Sequence, residues 1–206
     1  MPDGATILAG GFGLCGIPEN LIKATAKVGK KHLTVISNEM GTTDYGLSLL
    51  LSKKQVDKVY CSFIGVNAIL QRQYLKGEIE VHLVPQGNLI EKIRCGGAGI
   101  PAFYSPTGVG TWLEKGQIPI LYAPDGTKVL KYNKPREVRE FDGKKYLLET
   151  SLKGDYSFVK CYKADKEGNL TFHRTAKNFN PDMATAGKIV IAEVYIINIE
   201  NFRRTI

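Results

Sequence analysis

A chain of 206 residues with 43% hydrophobic and 23% charged side chains can bury a core of ordinary size, which excludes a disordered or fibrous polymer and points to one globular domain. No stretch approaches eighteen consecutive apolar residues, so no helix is expected to span a membrane, and no targeting segment is read ahead of the first strand. Of the net charge of +8, residues 1–113 carry +3 and residues 114–177 carry +5; the bases are interleaved with acids, as in "KPREVREFDGKK", so a solvated face is expected rather than a nucleic-acid patch, and the mild positive field suits an anionic small substrate.

The opening segment "ATILAG" reads as a strand, and "PENLIKATAKV" as a helix with Pro18 in its first position and Leu21, Ala24 and Val28 at helical spacing. "HLTVIS" predicts a second strand, "YGLSLLLSKKQ" a second helix and "DKVYCSFIG" a third strand. "NAILQRQYLKG" reads as a helix stopped by Gly77. "EVHLVPQG" is the fourth strand, and "NLIEKIRCGG" a short helix capped by Asn88. This alternation argues for a parallel sheet with helical crossovers. From about residue 117 the texture becomes β-rich, in "PILYAPDGTKVLKY", "REFDGKKYLLET", "YSFVKCYKADKEGNLTFH" and "KIVIAEVYIINI", and predicts an antiparallel or mixed extension of the same domain.

Cys15, Cys61, Cys95 and Cys161 show no CxxC spacing and the three histidines no metal-ligand spacing, which argues for a reducing compartment and against a zinc site or disulfide framework. Chemistry is expected at the carboxyl ends of the strands, where ligands bind in open parallel sheets. The residues there are small or amide-bearing: Gly10, Gly11, Phe12 and Gly13 after strand one, Ser37 and Asn38 after strand two, Gly65 and Asn67 after strand three, and Pro85, Gln86 and Gly87 after strand four. Glycines expose backbone N–H groups, and Asn and Gln offer neutral donors, the equipment for stabilising a developing oxyanion. Gly11-x-Gly13-x-x-Gly16 also spells a dinucleotide-binding turn, with Glu39 near the ribose-binding position. Pro18 counts against it, because it starts the helix only after the third glycine.

The stretch "DGATILAGGFGLCGIP" resembles the signature of the alpha segment of family I coenzyme A transferases: Asp-Gly, three aliphatics, Gly-Gly-Phe, then Gly and Pro. The likeness continues through "GLSLLL", "RQYLKGEIEVHLVPQGNLIEKIRCGGAGIPAFYSPTGVGT", "GDYSFVKCYKAD" and "FHRTAKNFNPDMATAGK". It implies an α/β fold of the NagB/RpiA/CoA-transferase type, an open, mainly parallel sheet with helical crossovers and a β-rich C-terminal extension, over residues 1–194, with a divergent tail at 195–206. It implies transfer of CoA from succinyl-CoA to a 3-oxo acid such as acetoacetate, with CoA as substrate and neither metal nor nicotinamide required. Gln86 becomes the catalytic oxyanion donor, next to Gly87. Gly10, Gly11, Phe12, Gly13 and Gly16 shape the acyl pocket. Asn38 fits the polar end of strand two, but Glu39 stands where a second small amide is expected. The "GGAGIPAF" stretch reads as a second close-packed turn near the site.

The nucleophilic glutamate of such enzymes lies in a Ser-Glu-Asn-Gly context, which none of the twelve glutamates here has, so the resemblance assigns it to a beta segment outside this chain. The partners implied are acyl-CoA and 3-oxo acid substrates and that beta segment, in a hetero- or homo-oligomer, with no nucleic acid and no membrane. The compartment implied is the mitochondrial matrix for a eukaryotic protein and the cytoplasm for a bacterial one. The helix expected before strand one is not found, and "YIINIENFRRTI" departs from the resemblance, which leans toward a truncated product of a fused gene rather than a separate subunit. Two alternatives remain: a non-catalytic binding or assembly module of the same family, and a Rossmann-type dinucleotide-binding protein.

Overall fold

Strand β1 (Thr6–Ala9) shows the constraint that organises the domain: Ile7 and Ala9 enter one hydrophobic cluster and Leu8 the other. A strand apolar on both faces belongs inside a sheet covered on both sides, the setting of parallel strands. In the computed structural model, which describes residues 1–197, β1 is followed by α1 (Glu19–Val28), β2 (Leu33–Ile36), α2 (Ser48–Ser52), β3 (Val56–Cys61), α3 (Ala68–Leu75) and β4 (Glu80–Leu83). Each of these strands runs parallel to the one before it.

Helix α4 (Gln86–Gly97) then leaves the sheet. β5 (Ala102–Ser105), α5 (Trp112–Lys115), β6 (Pro119–Tyr122), β7 (Val129–Tyr132), β8 (Val138–Phe141) and β9 (Lys144–Thr150) build two small antiparallel sheets, β5-β9-β8 and β6-β7. Asp142 and Gly143 both have positive φ (49° and 72°), the geometry that joins β8 to β9 in a tight hairpin. β10 (Gly154–Ala164) returns to pair parallel with β1 on the side away from β2, and β11 (Leu170–Thr171) folds back on its end. A 3₁₀ turn at Arg174–Lys177 and α6 (Asn180–Ala186) lead to β12 (Gly187–Ile197), which runs parallel to β10.

Two clusters fill the space on either side of the sheet. Ile7, Val35, Val59 and Val81 meet Ile22, Leu50 and Leu70 of α1, α2 and α3. Leu8, Ile36 and Val159 meet Leu89 and Ile93 of α4 and Met183 of α6. The predicted alternation of strands and helices through residue 97 is therefore found, as is the mainly parallel sheet, with three local differences. Pro18 lies just before α1 rather than in its first turn. The second helix keeps only five residues. Asn88 does not cap α4, which begins two residues earlier behind extended Pro85; instead the buried Asn88 Oδ1 accepts from Ser105 Oγ at 2.7 Å and ties the helix to β5. The β-rich part is mixed, as expected: two segments rejoin the central sheet as the parallel strands β10 and β12, and antiparallel pairing occurs within β5–β9 and between β10 and β11. Of the tail expected at 195–206, residues 195–197 complete β12 and residues 198–206 lie outside the described residues.

The antiparallel insertion is fastened by charge. Glu149, fully buried on β9, accepts from Lys92 Nζ of α4 at 2.7 Å and from Arg136 Nε at 3.2 Å. Burial pushes the Lys92 pKa down, and Glu149 works against that push. Removing one partner of a buried pair leaves uncompensated charge behind. Glu149→Ala should therefore lower unfolding free energy by about 3–5 kcal/mol in a denaturant titration; a loss below about 1 kcal/mol, the level of an exposed pair, would show that the insertion is held by packing instead.

Candidate active site

The loop after β1 is tied down at several points along its backbone. Gly10 N–H donates to Phe158 O of β10 at 2.9 Å, and Phe12 and Cys15 exchange backbone hydrogen bonds at 3.0 Å each. Asn178 accepts from Gly11 N–H at 3.2 Å and donates to Cys15 O at 3.0 Å. Asn180 donates to Gly16 O at 3.0 Å while accepting from Lys160 N–H at 2.9 Å. These contacts explain two of the glycines. A Cβ at Gly10 would lie 2.0 Å from Asn180 Oδ1, and at Gly16, where φ is +67°, it would lie 2.6 Å from Ala176 O. Asn178 and Asn180 lie within the quoted "FHRTAKNFNPDMATAGK", but local sequence gives no sign that they cross 162–167 residues to reach this loop.

The same contacts remove the dinucleotide reading. The Gly11 N–H that would face a pyrophosphate is already satisfied by Asn178, and α1 starts at Glu19, three residues beyond Gly16. Glu39 is buried against the loop rather than open to a ribose.

Beyond β2 the chain leaves strand geometry, and Asn38 and Glu39 turn inward. Asn38 Nδ2 donates to Glu39 Oε2. Asn38 Oδ1 accepts from Gln86 Nε2 at 2.8 Å and from Ser62 Oγ at 2.8 Å, and the Asn38 carbonyl accepts from Ser62 N–H at 2.9 Å. Gln86 is the first residue of α4 and is exposed, as is Gly87 beside it in the first helical turn. Burial pushes the Glu39 carboxyl above its ordinary value of 4.5, opposed by hydrogen bonds from Gly13 N–H and the Asn38 amide. The ends of β1, β2, β3 and β4 are thus linked from Gly13 through Glu39 to Asn38, where the network branches to Ser62 and Gln86.

Not every expected residue joins this group. Asn67 caps α3 by accepting from Leu70 N–H at 2.9 Å and spends its amide on the carbonyls of Met40, Gly41 and Thr42. The "GGAGIPAF" glycines lie at the far end of α4, about 16 Å along the helix from Gln86, where a Cβ on Gly96 would meet Leu152 O at 1.9 Å. Gly96 and Gly97 are closely packed there, and Gly99 has a positive φ of 76°. Among the described residues the four cysteines are free; burial pushes the Cys61 thiol up to about 12 and raises Cys95 and Cys161, the opposite of activation. A cleft of about 620 Å³ near Tyr60, His82 and Arg136 has Lys58 and Lys131 paired with Glu80 and Lys92 and Arg136 with Glu149, and none of the strand-end donors lines it.

An open parallel sheet with amide donors and a glycine loop at its carboxyl edge is the scaffold of an acyl-transfer protein, and the chain belongs to the coenzyme A transferase family, whose sequence profile matches residues 1–204. It is 50% identical over 192 residues to succinyl-CoA:3-ketoacid coenzyme A transferase 2A, mitochondrial, of Mus musculus, covering 93% of this chain and 37% of that protein. It is 51% identical over 194 residues to one of the subunits of succinyl-CoA:3-ketoacid coenzyme A transferase of Helicobacter pylori strain J99, covering 94% of this chain and 75% of that polypeptide. The chain therefore spans little more than a third of the mammalian relative. The fold is that of solved transferases. An acyl-CoA transferase from Escherichia coli O157:H7 aligns over the whole chain and 41% of its own, with a TM-score of 0.80 at 24% identity. Glutaconate coenzyme A-transferase from Acidaminococcus fermentans aligns over 96% of this chain and 64% of its own, with a TM-score of 0.73 at 15% identity. Among the described residues no helix is long and apolar enough to cross a membrane.

Because the folded state holds the Glu39 proton more tightly than the unfolded chain, stability from this group is full below about pH 4.5 and falls as pH rises through the folded value. Glu39→Gln removes that titration. Its melting temperature relative to the parent should climb between about pH 4 and about pH 7; a difference that does not change with pH would mean Glu39 titrates as an ordinary carboxylate.

Proposed function

We propose that this chain is the alpha segment of a 3-oxoacid CoA-transferase, which moves CoA from succinyl-CoA to a 3-oxo acid such as acetoacetate with a nucleophilic glutamate supplied by a beta segment. The observation that carries the reading is the state of Gln86: one amide hydrogen is spent on Asn38, which orients the nitrogen end of the side chain and leaves the second hydrogen for an incoming oxygen. The names of the relatives support the substrate class, and the naming of the Helicobacter pylori relative as one subunit of its enzyme supports dependence on a second polypeptide segment.

In this reading the partner's carboxylate attacks the thioester carbonyl of succinyl-CoA, and the carbonyl oxygen becomes an oxyanion that accepts from Gln86. Collapse releases CoA thiolate and leaves an acyl–glutamyl anhydride. The thiolate attacks the glutamyl carbonyl, freeing succinate and leaving a glutamyl-CoA thioester. The 3-oxo acid carboxylate attacks that thioester and expels CoA thiolate, giving a second anhydride; the thiolate then attacks its 3-oxoacyl carbonyl, forming the 3-oxoacyl-CoA and freeing the glutamate carboxylate. Each addition creates charge on one oxygen, so a donor fixed in advance lowers every barrier. Gly10, Gly11, Phe12, Gly13 and Gly16 form the acyl-pocket wall, Gly87 lies beside the donor, and Asn38 serves the site through its bond to Gln86. Exposed Phe12, Leu14, Phe63 and Val66 on the loops after β1 and β3 give the site an apolar rim for the beta segment. CoA is a substrate, no metal or other cofactor is required, and the assembly is an oligomer. A eukaryotic member works in the mitochondrial matrix, following the name of the mouse relative, and a bacterial one in the cytoplasm.

The competing reading, a non-catalytic assembly module, draws on the absence of a Ser-Glu-Asn-Gly context from the sequence. The two separate in an assay of succinyl-CoA-dependent acetoacetyl-CoA formation, run with the chain alone and with a family beta segment. Turnover only in the pair supports the transferase; a folded complex with no turnover supports the module. In an active pair, Gln86→Ala should lower kcat by about 100-fold or more, the usual loss for one oxyanion donor. A near-normal rate would reduce Gln86 to a helix-start residue.

A further inference from the structure

Resting on the oxyanion role of Gln86, we infer that Glu39 is a positioning residue for that donor, acting through Asn38. The problem it solves is one of amide orientation. Gln86 is exposed at the start of a helix, and its carboxamide can present either oxygen or nitrogen to the pocket; only the nitrogen end donates. Asn38 Oδ1 selects the nitrogen end by accepting from it at 2.8 Å. That selection holds only while Asn38 itself keeps its oxygen toward Gln86.

Ser62 does not decide the matter, because a hydroxyl donates to an amide oxygen or accepts from an amide nitrogen with equal ease. Glu39 does decide it. Its Oε2 accepts from Asn38 Nδ2, and the reverse orientation would set the Asn38 oxygen against a carboxyl oxygen and its amide against that of Gln86. Asn38 and Glu39 are 3% and 6% exposed, so water offers little substitute for either bond. Neighbouring residues in a strand point to opposite faces, so this contact exists only because β2 ends at Ile36 and the chain turns. The Gly13 N–H holds Glu39 from the other side, so the glycine loop is coupled to Gln86 through two buried side chains. A second small amide at position 39, expected from the family resemblance, would be shorter by one methylene; glutamate reaches both the loop and Asn38.

The test is a kinetic cycle in the active complex with a beta segment, using succinyl-CoA and acetoacetate. Glu39→Leu, which cannot accept a hydrogen bond, should lower kcat about 10-fold with KM within about twofold, the pattern of an interaction that acts in the transition state. Glu39→Gln keeps an acceptor oxygen and should stay within about threefold of the parent. In a Gln86→Ala background, Glu39→Leu should cost less than about twofold more, because the two residues then act as one unit. Multiplying losses in the double variant would overturn the inference, as would equal losses for Glu39→Gln and Glu39→Leu. If Glu39→Leu fails to fold, Glu39→Ala completes the same cycle. A normal rate in Gln86→Ala alone would instead overturn the oxyanion role, so the two failures are distinguishable.

Discussion

The site depends on Asn178 and Asn180 reaching from the segment before β12 to the loop after β1. A loop of this kind, rich in glycine and without side chains to fill it, has many conformations available and loses much entropy on ordering. Asn178 holds the loop at Gly11 and Cys15 with the two ends of its amide, and Asn180, at the start of α6, holds Gly16 while accepting from Lys160 of β10, so the loop, β10 and α6 are joined. With the loop fixed, Gly13 presents its N–H to Glu39, and the arrangement of the remaining donors follows. The region most distant in sequence from the loop is therefore the one that shapes it.

The sheet supplies the frame for this clamp. The chain runs outward from β1 through β4, then crosses back to place β10 on the other side of β1. The glycine loop follows β1 at the carboxyl edge of this sheet, and Gln86 starts α4 beyond β4, at the same edge. The buried Lys92–Glu149–Arg136 group does a different job at the other side of α4, holding the antiparallel insertion against the helix that carries Gln86. Two polar networks thus bracket α4, one fixing its N-terminal side chain and the other its body.

Much of the frame was legible in the sequence because strands apolar on both faces, separated by helices of regular spacing, leave few arrangements that bury both faces. Gln86 was also legible, as an amide at a strand end. The start of α4 was not: Asn88 has the chemistry of a cap, but Pro85 already sets the extended entry and releases Asn88 to bond Ser105. Asn67 has the same chemistry and does cap, so residue type alone could not separate the two. The β-rich half was legible only as an antiparallel or mixed extension, and it is mixed: β10 and β12 join the parallel sheet, because the partner of a strand is chosen by an edge elsewhere in the chain.

By itself the sequence determined the fold class and a set of strand-end amides, which follow from local periodicity and residue types, while the resemblance to the family singled out Gln86 among them as the candidate oxyanion donor. Only the tertiary structure decided which amides meet. Glu39 looked like a departure from the expected pattern, Asn67 like a donor and the "GGAGIPAF" stretch like a close-packed turn near the site. Their actual roles depend on directions and distances between elements far apart in the chain, and a hydrogen bond of 2.8 Å is a property of the packed molecule that no local stretch encodes.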